Sequence, residues 1–567
     1  MARSRGKNDD GDPTDWVTRA ADAAIRQAGE GAELITCASG ASPSGPVHLG
    51  NLREFLTVHF VAEEVRRRGL PVRHLHSWDD YDRFRKVPAG VDPSWSEHIG
   101  RPLSDVPDPG GCHESWAEHY KEPLVTSLRE MGVEMEEVSQ TSMYRAGRYR
   151  EQVLHAVRHR EELEAVLARF RTKAPATGAD DEDAAGGAGR EDGGAAAGFD
   201  LGRFPYKPYC RQCGRDTVTV TAYDDETTDL SYTCSSCGFT GVTNLATQDE
   251  GKLVWKIDWP MRWAFEQVHF EPGGDDHATP GSSYTVGQEV APVFGWRAPS
   301  FVAYSFVGVA GMTKMSSSRG GVPTAADALR ILEPPMLRWL YVRRQPRQNF
   351  TIDLGAEVVR LYDEWDALGR KAATKRDVAT LAWERSVSTA AVGTLPTAPV
   401  TVPFRLLSSV ADVTAGSPDL MARAVAGSGF ALSSLDDLEP RLSRALAWVA
   451  DQPEEDRTTV RTEPDAARLA ALTEDEGRWL AQLLDRMPDE LDQDGITTLV
   501  YGVPKLGRGL GLDDPPTEEV KADQKAFFGL LYELLVAAER GPRLPTLFLA
   551  LGADRVRYLL GGTPPGA

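Results

Sequence analysis

Three groups of residues in this 567-residue chain have the types and spacing that chemistry needs. The first is GASPSGPVHLGN, residues 40–51, which lies between an apolar run, Leu34 to Ala38, and a strongly helical stretch. Gly40, Gly45 and Gly50 let the backbone come close to a ligand, and a helix opening at Leu52 offers unpaired N–H groups to an anion. His48 stands where its ring can hydrogen-bond a phosphate oxygen or the charge that develops on it. The plainer alternative is a glycine-rich strand-to-helix turn that carries a surface histidine. The second group is GMTKMSSSRGG, residues 311–321, where a lysine, three hydroxyls and an arginine between glycines suit a polyphosphate. Alone, it reads better as a flexible, charged surface loop.

The third group is two CxxC pairs, Cys210/Cys213 and Cys234/Cys237, twenty residues apart and each followed by glycine. Four thiols so placed predict a closed, structural zinc ribbon. A shorter cluster, DPGGCHESWAEH, brings Asp108, Cys112, His113 and His119 into one segment as four further ligands of mixed type. Cys112 and His113 are adjacent, so both can ligate only if the chain turns, which Gly110-Gly111 allows. A scatter of surface side chains is the competing reading.

These groups need a scaffold. Residues 33–38 read as a buried strand, and 51–69 as a helix with Leu52, Phe55, Val58, Ala62 and Val65 near one face. Residues 71–78 read as the next strand, which makes a strand–turn–helix–strand unit of a parallel sheet. Similar strand signals return around Val254–Ile257 and Pro299–Val307, so the sheet is split by a long insertion. Inside that insertion, Lys173 to Gly198 has no aromatic and no branched aliphatic residue and reads as a disordered loop. From about Asp327 onward the pattern is helical, and the last strong helix stops at Gly541-Pro542.

Composition excludes several classes. Hydrophobic residues make up 41% and charged ones 26%, as in a globular protein, and no apolar run is long enough to span a bilayer. The N-terminal residues carry no hydrophobic stretch behind their basic positions, so the expected location is the cytoplasm. Four of the six cysteines lie in the CxxC pairs, which points to metal rather than a disulfide framework. A formal charge of −21 argues weakly against indiscriminate nucleic-acid binding, though a local basic face stays open.

The first two groups together resemble the HIGH and KMSKS signatures of class I aminoacyl-tRNA synthetases, as His48-Leu49-Gly50-Asn51 and Lys314-Met315-Ser316-Ser317-Ser318. SWDDYDRFRKVP (77–88), RPLSDVPDPGGC (101–112), GKLVWKIDWPMRW (251–263) and GGDDHATPGSSY (273–284) narrow the resemblance to the archaeal-type class I lysyl-tRNA synthetases. It runs from about residue 30 to the C-terminus, without the low-complexity loop. Asn51 fills the fourth HIGH position. Ser317 fills the fourth KMSKS position in place of lysine, with Arg319 nearby as a cation of different geometry.

This resemblance implies an α/β fold: a Rossmann-type parallel-sheet catalytic domain split by a zinc-containing insertion and followed by an all-helical C-terminal region. The parts it implies are a disordered or loosely ordered extension over 1–30 and catalytic halves over 31–90 and 251–310. The zinc-bearing insertion takes 91–250, with its disordered loop at 173–198. The KMSKS loop and a connecting helical domain take 311–400, and a helical anticodon-binding domain takes 401–567. It also implies a reaction. The lysine carboxylate attacks the α-phosphate of ATP, which enters with Mg2+, and the lysyl-adenylate is passed to the 3′-terminal adenosine of tRNA(Lys).

By the same resemblance, His48, Asn51 and Lys314 are the expected catalytic residues. Pro43, Gly45, His48, Gly50 and Asn51 hold ATP together with Lys314, Met315, Ser316, Ser317 and Ser318. Lysine lies against Gly40, Ser42, Trp255, His277 and Tyr304, with Asp80 and Asp82 either taking the ε-ammonium or pairing with Arg83 and Arg85. The resemblance also favours zinc at Asp108, Cys112, His113 and His119. Phe527 and Phe528 read as core, and Arg543 as a loop cation able to meet phosphate or base. The oligomeric state is left open, a monomer being compatible with the sequence. Two other readings stay in play: a class I synthetase for glutamate or cysteine, and a zinc-ribbon tRNA-binding paralogue without catalysis.

Overall fold

A computed structural model describes residues 13–171, 199–310 and 322–561. The expected disordered loop at 173–198 and the whole 311–321 motif, with Lys314, Met315, Ser316, Ser317 and Ser318, lie outside the described residues. The chain forms two compact units. The first holds Met1–Ala328, Pro334–Asp353 and Leu368–Leu395; the second holds Leu329–Glu333, Leu354–Ala367 and Pro396–Ala567.

The first unit is built on a five-stranded sheet with all pairings parallel: β1 (Ile35–Ala41), β2 (Val72–Trp78), β3 (Glu136–Ser139), β4 (Val268–Gly274) and β5 (Ser300–Tyr304). Its order is β5-β4-β1-β2-β3, so the centre is filled by strands far apart in sequence. Two helices precede and follow β1: α1 (Trp16–Ala28) and α2 (Leu52–Arg67). α2 carries the expected apolar positions, but its burial goes all round and takes in Arg53, Glu54, His59 and Glu64. It stops at Arg68, before Gly69 at φ 76°. The expected loose N-terminal extension is corrected in part, because α1 is a packed helix. Asp15 caps it through the Thr18 N–H at 2.8 Å, and Val17, Ala21 and Ala24 are buried.

The strand expected around Val254–Ile257 is not one. A short strand ends at Leu253, and α3 (Trp255–Phe265) begins two residues later. VWKI is a β-like run of residues, but the WKIDWPMRW that contains it repeats tryptophan every fourth position, a helical period that places the rings on one side. The expected strand at Pro299–Val307 is two, β5 and a separate Val307–Val309 strand paired with Phe350–Ile352. β3 lies inside the expected 91–250 insertion and pairs with β2, so that expectation is corrected: the sheet resumes there, and the longer excursion from β3 to β4 contains a three-stranded antiparallel sheet, Val218–Tyr223, Asp229–Cys234 and Thr240–Asn244.

The second unit is helical. Tyr362 stacks on Phe404 at 4.0 Å, and Arg441, almost wholly buried, is held by Glu333 at 2.7 Å and Asp366 at 2.8 Å.

Candidate active site

The winding of the sheet reverses between β1 and β4, and open parallel sheets bind ligands at the carboxyl ends of their strands at such a point. An open cleft of ≈ 610 Å3 lies there. Gly40 of β1, Glu271 and Gly273 of β4, Tyr304 of β5, Glu54 of α2 and the tryptophans of α3 line it. Of the residues expected to hold lysine, Gly40, Trp255, His277 and Tyr304 face this cleft together. Ser42 is not part of the lining; it follows Gly40 by two residues in the turn that leaves β1.

α3 builds one wall. Trp255 and Trp259 stack nearly parallel, with centroids 5.3 Å apart at 12°, and Trp259 meets His277 edge-on at 5.6 Å. The Trp255 indole N–H donates to Ser283 Oγ at 3.0 Å, which fixes the ring's orientation. Next to these rings three carboxyls are buried. Glu271 accepts the indole N–H groups of Trp259 at 3.0 Å and Trp263 at 2.5 Å, and burial pushes its pKa up to about 7. Glu54 hydrogen-bonds the Tyr304 hydroxyl and accepts the Gly40 N–H at 3.3 Å; burial pushes it up to about 8. Asp79 is raised to about 6, burial outweighing the Arg262 guanidinium at 2.7 Å.

Sequence reading missed all three of these carboxyls. Glu54 hides in a helix that looks ordinary, and Glu271 precedes a Pro-Gly-Gly that does not look like a strand. The two acids it singled out face elsewhere. Asp80 accepts the Thr141 N–H at 2.8 Å and lies 3.8 Å from Lys121, while Asp82 is bound to Lys252. Neither lines the cleft, and Arg83 pairs with Asp216 at 3.2 Å.

At the turn between β1 and α2, Pro43 and Gly45 are buried and Asn51 is the residue before the first helical turn. The Gly50 N–H donates to His48 Nδ1 at 3.0 Å. A neutral imidazole has one N–H, so this bond assigns the proton to Nε2 and makes Nε2 the donor. Burial lowers the pKa of His48, which favours that neutral form. The Asn51 side chain accepts the His48 N–H at 3.2 Å, bracing the turn rather than the helix. His48 forms a bridge with Thr324, and the Leu49 N–H donates to Pro323 O at 3.1 Å. Residues just after the 311–321 motif therefore rest against the histidine turn. Arg53, 2% exposed, donates to the carbonyls of Ser305 at 3.1 Å, Gln348 at 3.0 Å and Gln345 at 2.7 Å.

Two further clusters have metal-ligand geometry. The sulfurs of Cys210, Cys213, Cys234 and Cys237 lie within 4.8 Å of one another, with 3.6 Å between Cys210 and Cys237 and between Cys213 and Cys234. Four sulfurs at ~2.3 Å from one zinc lie ~3.8 Å apart, so the cage fits zinc. Gly214 and Gly238 follow each pair at φ 71° and 73°, and their N–H groups donate to the Cys210 and Cys234 carbonyls at 2.7 and 2.9 Å. That positive φ is what the glycine after each CxxC supplies.

Asp108, Cys112, His113 and His119 likewise converge within 4.8 Å. The Asp108 carboxylate accepts N–H groups of Gly110 at 2.8 Å, Cys112 at 2.5 Å and His113 at 2.5 Å, so it shapes the turn that brings the adjacent Cys112 and His113 to one side. A Cβ on Gly110 would come within 3.1 Å of the His119 ring, so a larger residue there would push that side chain aside by a few tenths of an ångström. Both clusters lie outside the cleft lining. No helix among the described residues is long and apolar enough to cross a membrane.

A family model described as tRNA synthetases class I (K) matches residues 14–392. Along nearly its whole length the chain is similar to proteins named lysine–tRNA ligase. It is 52% identical to that of Streptomyces coelicolor, covering 97% of this chain and 98% of the other. It is 32% identical to that of Thermococcus kodakarensis, covering 95% and 98%, and 29% identical to that of Treponema pallidum, covering 96% and 98%.

Proposed function

The chain belongs to the class I tRNA synthetases of the lysine type, an ATP-dependent aminoacyl-tRNA ligase acting on lysine, and from this premise we infer that the cleft between β1 and β4 is where lysine is activated. The observation that carries the reading is the pair of buried carboxyls, Glu54 and Glu271, beside a tryptophan wall. Such a cavity suits a long aliphatic stem that ends in a cation. Glu54 takes the ε-ammonium, with the Tyr304 hydroxyl as its neighbour, and Trp255 lies along the methylenes. Gly40 and His277 complete the pocket around the amino acid, with Ser42 just beyond it in the turn that leaves β1.

Among the described residues, the competing specificities lack what they need. A glutamate pocket requires a free arginine, and Arg262 in this cleft is committed to Asp79 at 2.7 Å and to Asp258 at 3.1 Å. A cysteine enzyme requires zinc among the substrate's ligands, and both metal-type clusters lie elsewhere.

The lysine carboxylate attacks the α-phosphate of ATP, and pyrophosphate leaves. No protein nucleophile is needed, so positioning and charge stabilisation supply the rate. His48 donates from Nε2 to phosphate oxygen, with Pro43, Gly45, Gly50 and Asn51 shaping the backbone around it. Lys314 stabilises the charge on the departing pyrophosphate, and Met315, Ser316, Ser317 and Ser318 share that contact. Mg2+ accompanies ATP and neutralises part of its charge. The 3′-terminal ribose hydroxyl of tRNA(Lys) then attacks the activated carbonyl and AMP leaves, with the helical C-terminal part holding the tRNA elsewhere.

ATP–pyrophosphate exchange against all twenty amino acids, with and without tRNA, tests the reading. Exchange with lysine alone is expected; exchange with glutamate or cysteine overturns the pocket assignment. The carboxyls predict a pH signature. Below about 8 Glu54 holds a proton in the empty site, and an ammonium binds best to the ionised form. Lysine binding therefore expels a proton, so its KM falls as pH rises from about 6.5 toward 8 and levels off above. Glu54→Gln abolishes that slope and raises the lysine KM roughly thirtyfold or more, because a buried charge loses its partner.

We assign a structural zinc to Cys210, Cys213, Cys234 and Cys237 and a second to Asp108, Cys112, His113 and His119. Atomic absorption on the purified chain gives two zinc ions per molecule on this assignment. Cys213→Ser and Cys112→Ser each leave one, and the former lowers the melting temperature of the insertion. Two ions in both variants would refute the ligand sets.

A further inference from the structure

The tryptophan wall of the cleft carries a cation of its own. Trp255, Asp258, Trp259 and Arg262 follow one another at three-, one- and three-residue steps along α3, which sets them on one side of that helix. Arg262 lines the cleft with Trp255 and Asp79, yet it is only 4% exposed. Its Nη1 donates to Asp79 Oδ1 at 2.7 Å, its Nε to Asp258 Oδ2 at 3.1 Å, and its Nη2 to the same Asp258 oxygen. Its Cζ lies over the Trp255 ring, 5.4 Å from the centroid.

Carboxylates that grip the N–H groups of a guanidinium, with an aromatic ring beside it, are the surroundings in which an arginine side chain is recognised. Here the chain fills them with its own side chain. Stability alone gives no reason for this, since an intact buried ion pair adds little over apolar side chains of similar volume. Its place in the cleft does give one. Lysine and arginine share a long apolar stem and a positive charge, and differ mainly in the head: a compact ammonium against a planar fork of N–H groups. An ammonium can be held by the single carboxyl of Glu54, beside Tyr304 and Gly40. A guanidinium wants the fork and the ring, and in this wall both are taken. An incoming arginine would also set a second cation against Arg262, and like charges in a buried wall reject the wrong ligand.

We propose that Arg262 is a specificity-determining residue: its guanidinium occupies the place that the head of a free arginine would take, and so keeps arginine out of the lysine cleft. The inference rests on the lysine reading of that cleft.

ATP–pyrophosphate exchange with lysine, arginine and citrulline tests it in Arg262→Ala. Citrulline has nearly the shape of arginine and no charge. Arginine is expected neither to support exchange in the wild type nor to compete with lysine there. In Arg262→Ala its inhibition constant against lysine falls about tenfold or more, and citrulline gains nothing. Free guanidinium ion at millimolar concentration refills the space. It raises the melting temperature of Arg262→Ala, which sodium at equal ionic strength does not, and it shuts arginine out again. Arg262→Ala combined with Asp258→Asn removes one stranded carboxylate and keeps Asp79 for the incoming head, so it carries the same measurements where the single variant does not fold.

Arginine that competes well in the wild type, or that is excluded as firmly from the variants, overturns the proposal. An equal gain for citrulline does so too, because it would show a wall that has merely loosened. Guanidinium that changes neither melting nor competition also overturns it. If the wild-type chain supports no exchange with lysine, the ligase reading fails by itself, and the melting of Arg262→Ala with guanidinium still decides whether the space is a guanidinium site.

Discussion

His48→Ala is expected to lower kcat for lysine-dependent ATP–pyrophosphate exchange by about a hundredfold or more, with little change in the KM for lysine. The turn fixes this residue's chemistry before any ligand arrives. Gly50 donates to Nδ1, burial keeps the ring neutral, and Nε2 is left as a donor at the start of α2. Charge that appears on phosphate only during reaction is stabilised in the transition state more than in the ground state, so the loss falls on kcat. His48→Asn, which restores a side-chain N–H donor, recovers part of the rate. A variant whose lysine KM rises while kcat holds would assign His48 to binding instead.

The largest effect on stability is expected at Arg262. Its guanidinium reaches Asp79 at 2.7 Å and Asp258 at 3.1 Å, and Asp258 also takes the Tyr144 hydroxyl, all in the buried wall of the cleft. Arg262→Met takes the guanidinium away from two interior carboxyls and leaves Asp258 only Lys252, at 4.0 Å, a loss on the order of 3–5 kcal/mol. Thermal unfolding should show a transition several degrees lower for the first unit. Adding Asp79→Asn and Asp258→Asn restores part of the loss, because the charges left stranded are then gone. Equal melting of Arg262→Met and wild type would show that the network adds nothing to stability.

The β1–α2–β2 opening could be read from the sequence because each element repeats at its own period and glycine separates them. The zinc-type clusters were legible because ligands a few residues apart need only a turn to meet. β4 was not legible: VHFEPGG has no alternation, and all seven of its residues are buried, so the polar ones find partners that only the fold brings. Glu54 and Glu271 escaped for a related reason. One sits on the helix after β1 and the other on β4, on opposite sides of the long insertion, and nothing local marks either as a partner for the same ligand. Asp80 and Asp82 drew attention as a charged run, but their cations, Lys121 and Lys252, come from distant segments. Phe528 was read as core together with Phe527. The structure buries Phe527 and leaves Phe528, one position on and so about 100° round the same helix, half-buried against Tyr501.

The strand order has a consequence for synthesis on the ribosome. β1 lies at the middle of the sheet, yet one of its neighbours, β4, emerges only after the whole insertion, and Thr36 of β1 donates its N–H to His269 at a separation of 233 residues. The first three strands can assemble early, with one flank of β1 still bare. At elongation rates of about 5–20 residues per second, that flank waits on the order of ten to forty seconds for its partner to emerge. A nascent chain in that interval carries an unpaired central strand, the kind of edge that recruits other chains or chaperones. The insertion, folding around its own thiols, can complete itself meanwhile, so translation speed sets how long the half-built sheet stays open.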